Sequence, residues 1–157
     1  MSADTINLRA ADPGDAGRLG AMITEAVEAR AWKPRLHSAA QDIAHVGTLI
    51  DRGWVTVAEL GPEVAGFLAR EGYEIHALFV AGWAQGQRLG SALLEQAKTQ
   101  ADRLELWTFQ QNEGAQRFYL RHGFAETRRT NGDNEEGLPD IHYLWRRDAG
   151  ALQEPVT

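Results

Sequence analysis

Gln85, Gly86, Gln87, Arg88, Leu89, Gly90 and Ser91 are the residues whose types and spacing are best suited to chemistry. They follow the apolar run Leu78-Phe79-Val80 and lead into a segment where Leu89, Ala92, Leu93, Ala97 and Ala101 recur at helical spacing. A strand, a glycine-bearing turn and a helix in that order can hold a phosphate. The turn gathers successive backbone N–H groups, and the helix N-terminus adds partial positive charge. Gly86 and Gly90 let a ligand approach the backbone closely. Two glycines before a helix also suit a plain tight turn, so this stretch alone leaves both readings open.

The elements that must position this turn read clearly along the chain. Ile6 to Arg9 alternates as a first strand. Asp12-Pro13-Gly14-Asp15 starts a helix, with Asp12 as cap and Pro13 at the first helical position. Leu19, Met22, Ile23, Ala26 and Val27 give that helix an apolar face, and Pro34 ends the helical region. A second helix fits Ser38 to Arg52, with Ile43, Val46, Leu49 and Ile50 buried, and Gly53 stops it. Strands follow at Trp54 to Leu60, Val64 to Ala69 and Tyr73 to Val80, the last the most apolar and so central. After the glycine turn and its helix comes a strand from Leu104 to Phe109. A short helix follows, capped by Asn112 and ended by Gly123. Phe124 to Thr130 and Ile141 to Arg146 pair as the last two strands, around a polar acidic loop from Asn131 to Asp140.

The order βααβββαβαββ describes a single α/β domain, which suits 157 residues that are 43% hydrophobic and 24% charged. A net charge of −6 argues against the whole chain binding nucleic acid electrostatically. The sequence has no apolar run near the roughly 20 residues of a membrane span and no signal-peptide pattern at Met1. A cytoplasmic protein with neither membrane nor nucleic-acid partner is therefore expected. Cysteine is absent, which removes disulfides, thiolate metal sites and a cysteine nucleophile. No His, Asp or Glu group has metal-ligand spacing, so no metal is expected, and no Ser-His-Asp order suggests a hydrolase.

Two of these segments together resemble the GNAT superfamily of acyl-CoA-dependent N-acyltransferases. The family's acyl-CoA loop is Gln/Arg-x-x-Gly-x-Gly/Ala. Gln85 and Gly90 match it, and Arg88 stands at the first-glycine position. Asn112-x-x-Ala115-x-x-Phe118-Tyr119-x-x-x-Gly123-Phe124 looks like the family's fifth-strand and following-helix segment. The element order from Ile6 to Trp145 extends the likeness over nearly the whole chain. It implies a single-domain GNAT-like fold over residues 1–147, a mixed central β-sheet flanked by helices, with 148–157 as a flexible tail.

The resemblance implies an acetyltransferase that uses acetyl-CoA as cosubstrate and a primary amine as acceptor. Direct attack in a ternary complex is expected, since no cysteine can carry an acyl intermediate. The acceptor is expected to be a small amine-bearing metabolite or drug. The alternatives are a protein N-terminus or lysine, or a non-catalytic acyl-CoA-binding regulatory module on the same fold. The sequence leaves monomer and homodimer open.

By the same resemblance, the backbone of Leu78, Phe79 and Val80 takes the pantetheine arm and polarises the thioester carbonyl. The amides from Gln85 to Ser91 take the pyrophosphate. Arg88 fits the glycine's place if its φ is negative and its side chain points outward, where it can reach a phosphate. Asn112 is placed to touch the CoA arm as well as cap its helix. Tyr119 is placed to protonate the departing thiolate, since a phenol, with a reference pKa of about 10, still carries its proton at neutral pH. The attacking amine must also lose a proton. Glu74 and His76, two apart on the central strand, share a face and are candidate bases; Glu105, His37 and His142 are further ones. Trp32, His37 and the acidic loop with Asp133, Glu135, Glu136 and Asp140 fall on the acceptor side.

Overall fold

A computed structural model describes residues 5–147, so the tail expected at 148–157 lies outside the described residues. The elements are β1 (Ile6–Ala10), α1 (Ala16–Glu28), α2 (Ala39–Asp51), β2 (Val55–Leu60), β3 (Glu63–Glu71), β4 (Glu74–Val80), α3 (Leu89–Gln100), β5 (Arg103–Phe109), α4 (Glu113–Arg121), β6 (Ala125–Thr130) and β7 (Asp140–Arg146). Their order is the expected βααβββαβαββ. The strands are hydrogen-bonded in the order β1-β2-β3-β4-β5-β7-β6. β4 runs parallel to β5 at Glu74↔Glu105, whereas β1–β2, β2–β3, β5–β7 and β6–β7 are antiparallel, which makes the seven-stranded sheet mixed. The chain forms two compact units, residues 5–71 with 76–96, and residues 72–75 with 97–147.

In the first unit, local caps fix where the helices begin. The Asp12 carboxylate accepts from Gly14 N (2.9 Å), and Asp15 Oδ2 accepts from Asp12 N (2.8 Å). This box closes a short 3₁₀ turn that feeds α1. Ser38 and Gln41 form a second box at α2. Leu19 and Met22 of α1 and Val46, Leu49 and Ile50 of α2 are buried with Val55, Val57 and Phe67. Ile43, expected in that stripe, is instead 38% exposed. A Cβ on Gly20 would stand 2.6 Å from Ile43 Cγ1, so the helices meet too closely there for Ile43 to drop inward. Asp42 is buried beside it, and its carboxylate accepts from Thr24 Oγ1 at 2.7 Å.

In the second unit, Leu104 and Leu106 of β5 and Ile141 and Tyr143 of β7 are buried, and Leu106 lies opposite Tyr143 in the register. Tyr119 of α4 packs on this face, 6.2 Å between ring centroids from Tyr143 and 5.4 Å from Phe124. Glu105, Trp107 and His142 alternate with these residues and take the other face. Gly123, at φ +87°, ends α4 as expected.

Candidate active site

The turn before α3 is built from two left-handed residues. Gly86 has φ +82°, and Arg88 has φ +69°, the sole non-glycine residue with positive φ among those described. This corrects the expectation of a negative φ at Arg88. The turn keeps the geometry that a glycine adopts readily, and an arginine adopts it at a cost of about 1–2 kcal/mol. Backbone that alternates through this region forms a concavity of N–H groups suited to anions. Residues 85–88 are exposed, and a Cβ on Gly86 would meet nothing within 4 Å, so the concavity is open. Helical bonding starts when Ala92 N donates to the Arg88 carbonyl (3.0 Å). The amides of Leu89 and Gly90 come before any partner within α3, an arrangement suited to an anion. The Arg88 side chain makes no ion pair among the described residues. Leu89, Leu93, Leu94 and Ala97 anchor the helix behind the turn.

The strand ahead of this turn is set by a residue that periodicity did not single out. Gly66 on β3 faces Phe79, and a Cβ there would stand 2.8 Å from the Phe79 carbonyl oxygen. Phe79 stacks on Phe67 at 5.5 Å, and Ala81 N donates to Ala65 O (2.8 Å). β3 thus meets this stretch closely at Gly66 and Ala65 and through the Phe67 ring. The available signal was an isolated glycine inside an apolar strand.

His76, also on β4, is exposed, and its Nε2 lies 3.0 Å from Glu71 Oε1. Its ring stacks on Trp54 at 5.3 Å. A neutral imidazole that donates to Glu71 presents the lone pair of Nδ1, which has no partner among the described residues. Trp32 is half-buried and His37 exposed in the connector between α1 and α2.

The other expected residues lie in the second unit. Asn112 caps α4 by accepting from Ala115 N (3.1 Å), as its sequence position suggested. Tyr119, seven residues on and so on the same side of the helix, is 8% exposed. Burial pushes its phenol well above the ordinary tyrosine value. No described residue hydrogen-bonds its hydroxyl. Glu74 is exposed at the start of β4. Glu105 and His142, unranked candidates in the sequence, meet: His142 Nε2 lies 3.1 Å from Glu105 Oε1, and His142 Nδ1 lies 2.6 Å from Thr127 Oγ1. Both ring nitrogens are therefore engaged, unlike those of His76. Within the acidic loop, Asp133, Glu136 and Asp140 line a pocket and the exposed Glu135 does not.

The frame of the chain is a mixed sheet with an open turn of left-handed residues ahead of α3. Residues 22–124 match the model of the acetyltransferase (GNAT) family, and the chain belongs to that family. As a member of that family it is an acetyltransferase. The fold is similar to that of a GCN5-related N-acetyltransferase from Rhodopseudomonas palustris (TM-score 0.76, 21% identity, covering 93% of this chain and 98% of that one). It is also similar to yncA from Salmonella typhimurium, solved with its cofactor acetyl-CoA (TM-score 0.71, 21% identity, 92% and 95% covered). A third is the ribosomal-protein-alanine N-acetyltransferase from Brucella melitensis (TM-score 0.71, 20% identity, 89% and 99% covered). No curated protein matches the chain by sequence. Among the described residues, no helix is long and apolar enough to cross a membrane.

Proposed function

We propose that the protein transfers the acetyl group of acetyl-CoA to a primary amine of a small molecule, by direct attack of the amine on the thioester. The observation that carries this reading is Arg88 at φ +69°. A bulky residue held in a conformation that disfavours it marks a turn whose shape matters more than its local stability.

Bound acetyl-CoA supplies the activated acyl group; the chain supplies positioning and proton handling. The amides at the head of α3 receive the pyrophosphate, with the Arg88 guanidinium adding a charge-assisted hydrogen bond. The Phe79–Val80 backbone, braced by Gly66, orients the thioester and stabilises the negative charge that develops on its oxygen. His76 takes the proton of the attacking ammonium at Nδ1, its tautomer set by Glu71. Tyr119 donates a hydrogen bond to the thiolate as it leaves. Its raised pKa makes full proton transfer uphill, so the thiol gains its final proton from the amine's side of the reaction or from solvent.

The test is thiol release from acetyl-CoA with small amines, polyamines, aminoglycosides, amino acids and peptides. Turnover with small amines and none with peptides is expected. Turnover restricted to peptides would replace the acceptor class, and no turnover with any amine would leave only a binding module.

A further inference from the structure

In the second unit, β6 meets β7 with one extra residue. Glu126 lies opposite Tyr143 and Arg128 opposite His142, so Thr127 between them forms a bulge. A bulge sets two consecutive residues against one partner and re-aims their side chains. Thr127 Oγ1 reaches 2.6 Å from His142 Nδ1, against 3.4 Å from the His142 carbonyl oxygen. On its other side, His142 Nε2 lies 3.1 Å from Glu105 Oε1 of β5. Glu105 Oε2 forms an ion pair with Arg103 Nε at 3.2 Å, without the alignment of a hydrogen bond.

The three groups dictate where the protons lie. A carboxylate only accepts, so a neutral imidazole carries its proton on Nε2, facing Glu105. Nδ1 is then the acceptor, and the Thr127 hydroxyl donates to it. A hydroxyl beside a base, with the base oriented by a third group, is the arrangement that activates an alcohol as a nucleophile. The hydroxyl end is open, since Thr127 is exposed, whereas the His142 side chain is only 13% exposed. Two further groups share this face. The exposed Trp107 ring meets the His142 ring edge-on at 5.0 Å, and the Arg128 guanidinium lies over Trp107 at 5.0 Å. Arg129 is paired with Glu126 (2.6 Å), but Arg128 makes no ion pair among the described residues.

We infer that Thr127, His142 and Glu105 form a further catalytic site that cleaves aryl esters through an acyl-threonine. It shares no residue with the turn before α3. Thr127 Oγ1 bonds to the ester's carbonyl carbon as its proton passes to His142 Nδ1. The bond from that carbon to the aryl oxygen breaks, and the phenolate takes the proton. Water then adds to the acyl carbon as one of its protons passes to Nδ1. That proton moves on to Thr127 Oγ1 as the carboxylic acid departs. The sum is ester plus water to phenol plus acid. Glu105 is a positioning residue that holds the Nε2 tautomer. Arg128 supplies positive charge to the developing oxyanion, and the Trp107 face takes the aryl ring. A phenol is the fitting leaving group: its pKa of about 10 lies well below that of an aliphatic alcohol, so the tetrahedral intermediate breaks forward.

The test is hydrolysis of 4-nitrophenyl acetate by the full chain. 4-Nitrophenolate leaves so readily that the acyl-threonine accumulates. Wild type is expected to release 4-nitrophenol over many turnovers. Acid quenching during turnover, followed by peptide mass spectrometry, is expected to find the acetyl group on Thr127. Thr127→Val should lose the adduct and release 4-nitrophenol at least about 10²-fold more slowly, while Thr127→Ser keeps both. Glu105→Gln should lower kcat with KM for the ester little changed. No release by wild type, no acetyl group on Thr127 during turnover, or release that survives in Thr127→Val overturns the inference. The adduct is read on the wild-type chain, so it decides even where a variant fails to fold.

Discussion

The Cβ that Gly66 lacks would stand 2.8 Å from the carbonyl oxygen of Phe79. The Phe79 backbone, proposed to hold the thioester, is therefore positioned by an absent side chain on the neighbouring strand. Gly66→Ala must push Phe79 away or bend β3, at about 1–3 kcal/mol, the usual cost of overpacking. Acetyl-CoA affinity is expected to fall in the same variant, because the displaced carbonyl belongs to the proposed thioester-binding backbone. Urea denaturation and acetyl-CoA titration read the two effects separately. Wild-type values in both would remove Gly66 from the site.

Arg88 separates shape from charge. Arg88→Gly removes about 1–2 kcal/mol of left-handed strain and adds about 0.5–1 kcal/mol of backbone entropy. A variant equal to wild type or slightly more stable is expected. Arg88→Ala keeps the strain and deletes the guanidinium. Both variants are expected to bind acetyl-CoA more weakly, by about tenfold for one charge-assisted contact, with a reduced dependence on salt. Unchanged affinity in both would eliminate the phosphate contact.

The parts of the site that the sequence disclosed are those governed by local rules. Asn112 as a cap, Gly123 as a helix stop and the turn from Gln85 to Gly90 depend on neighbours a few residues away. The parts it hid depend on register and approach. Glu105 meets His142 because β5 and β7 pair with Trp107 opposite His142, and Thr127 joins them at a register shift between Glu126 and Arg128. No periodicity in either segment announces that pairing. Gly20 and Gly66 matter through backbones distant in sequence, which also explains why Ile43 was misplaced in the core. In the acidic loop, the choice of Glu136 over Glu135 follows from the Asn134 clamp, a tertiary detail.

Asp15 gives the fold an acid limit. Arg9 donates to both of its oxygens, at 2.9 and 3.0 Å, and this pairing holds the carboxyl below its ordinary value of 3.8. A carboxylate with a lowered folded pKa contributes stability that is complete above the unfolded value and is lost as pH falls through the folded one. Asp15→Asn is expected to cost ~2 kcal/mol at neutral pH. The gap in melting temperature between wild type and variant should be constant above about pH 5 and narrow below about pH 4. A gap that does not narrow in acid would mean that the ion pair is not what Asp15 contributes.

Tyr119 is held protonated by burial, its pKa raised above the ordinary 10.0. Its proposed role as a donor to the thiolate is therefore available at every pH the enzyme meets. Tyr119→Phe is expected to lower kcat by about 10²-fold, the scale of removing one donor from developing charge, with acetyl-CoA affinity nearly unchanged. The ratio of wild-type to variant kcat should be flat from about pH 6 to about pH 9. A ratio that collapses as pH rises within that range would show the phenol ionising there, contrary to its burial.

His76 and Glu71 test the proton pathway from the other end. His76 Nε2 is 3.0 Å from the Glu71 carboxylate, and Nδ1, the proposed base, has no partner among the described residues. At His142 both nitrogens are already engaged, by Glu105 and Thr127. The two histidines should therefore respond differently. His76→Gln is expected to reduce kcat by about 10²-fold, the lower range for a general base, with KM for the amine little changed. Glu71→Gln should lose less, since it disturbs only the tautomer. His142→Gln should act on thermal stability more than on kcat, because it breaks two hydrogen bonds of a structural bridge. Steady-state kinetics and melting curves on the three variants decide. A kcat loss confined to His142→Gln would move the base to the face of β5 and β7 and leave His76 as a stacking partner of Trp54.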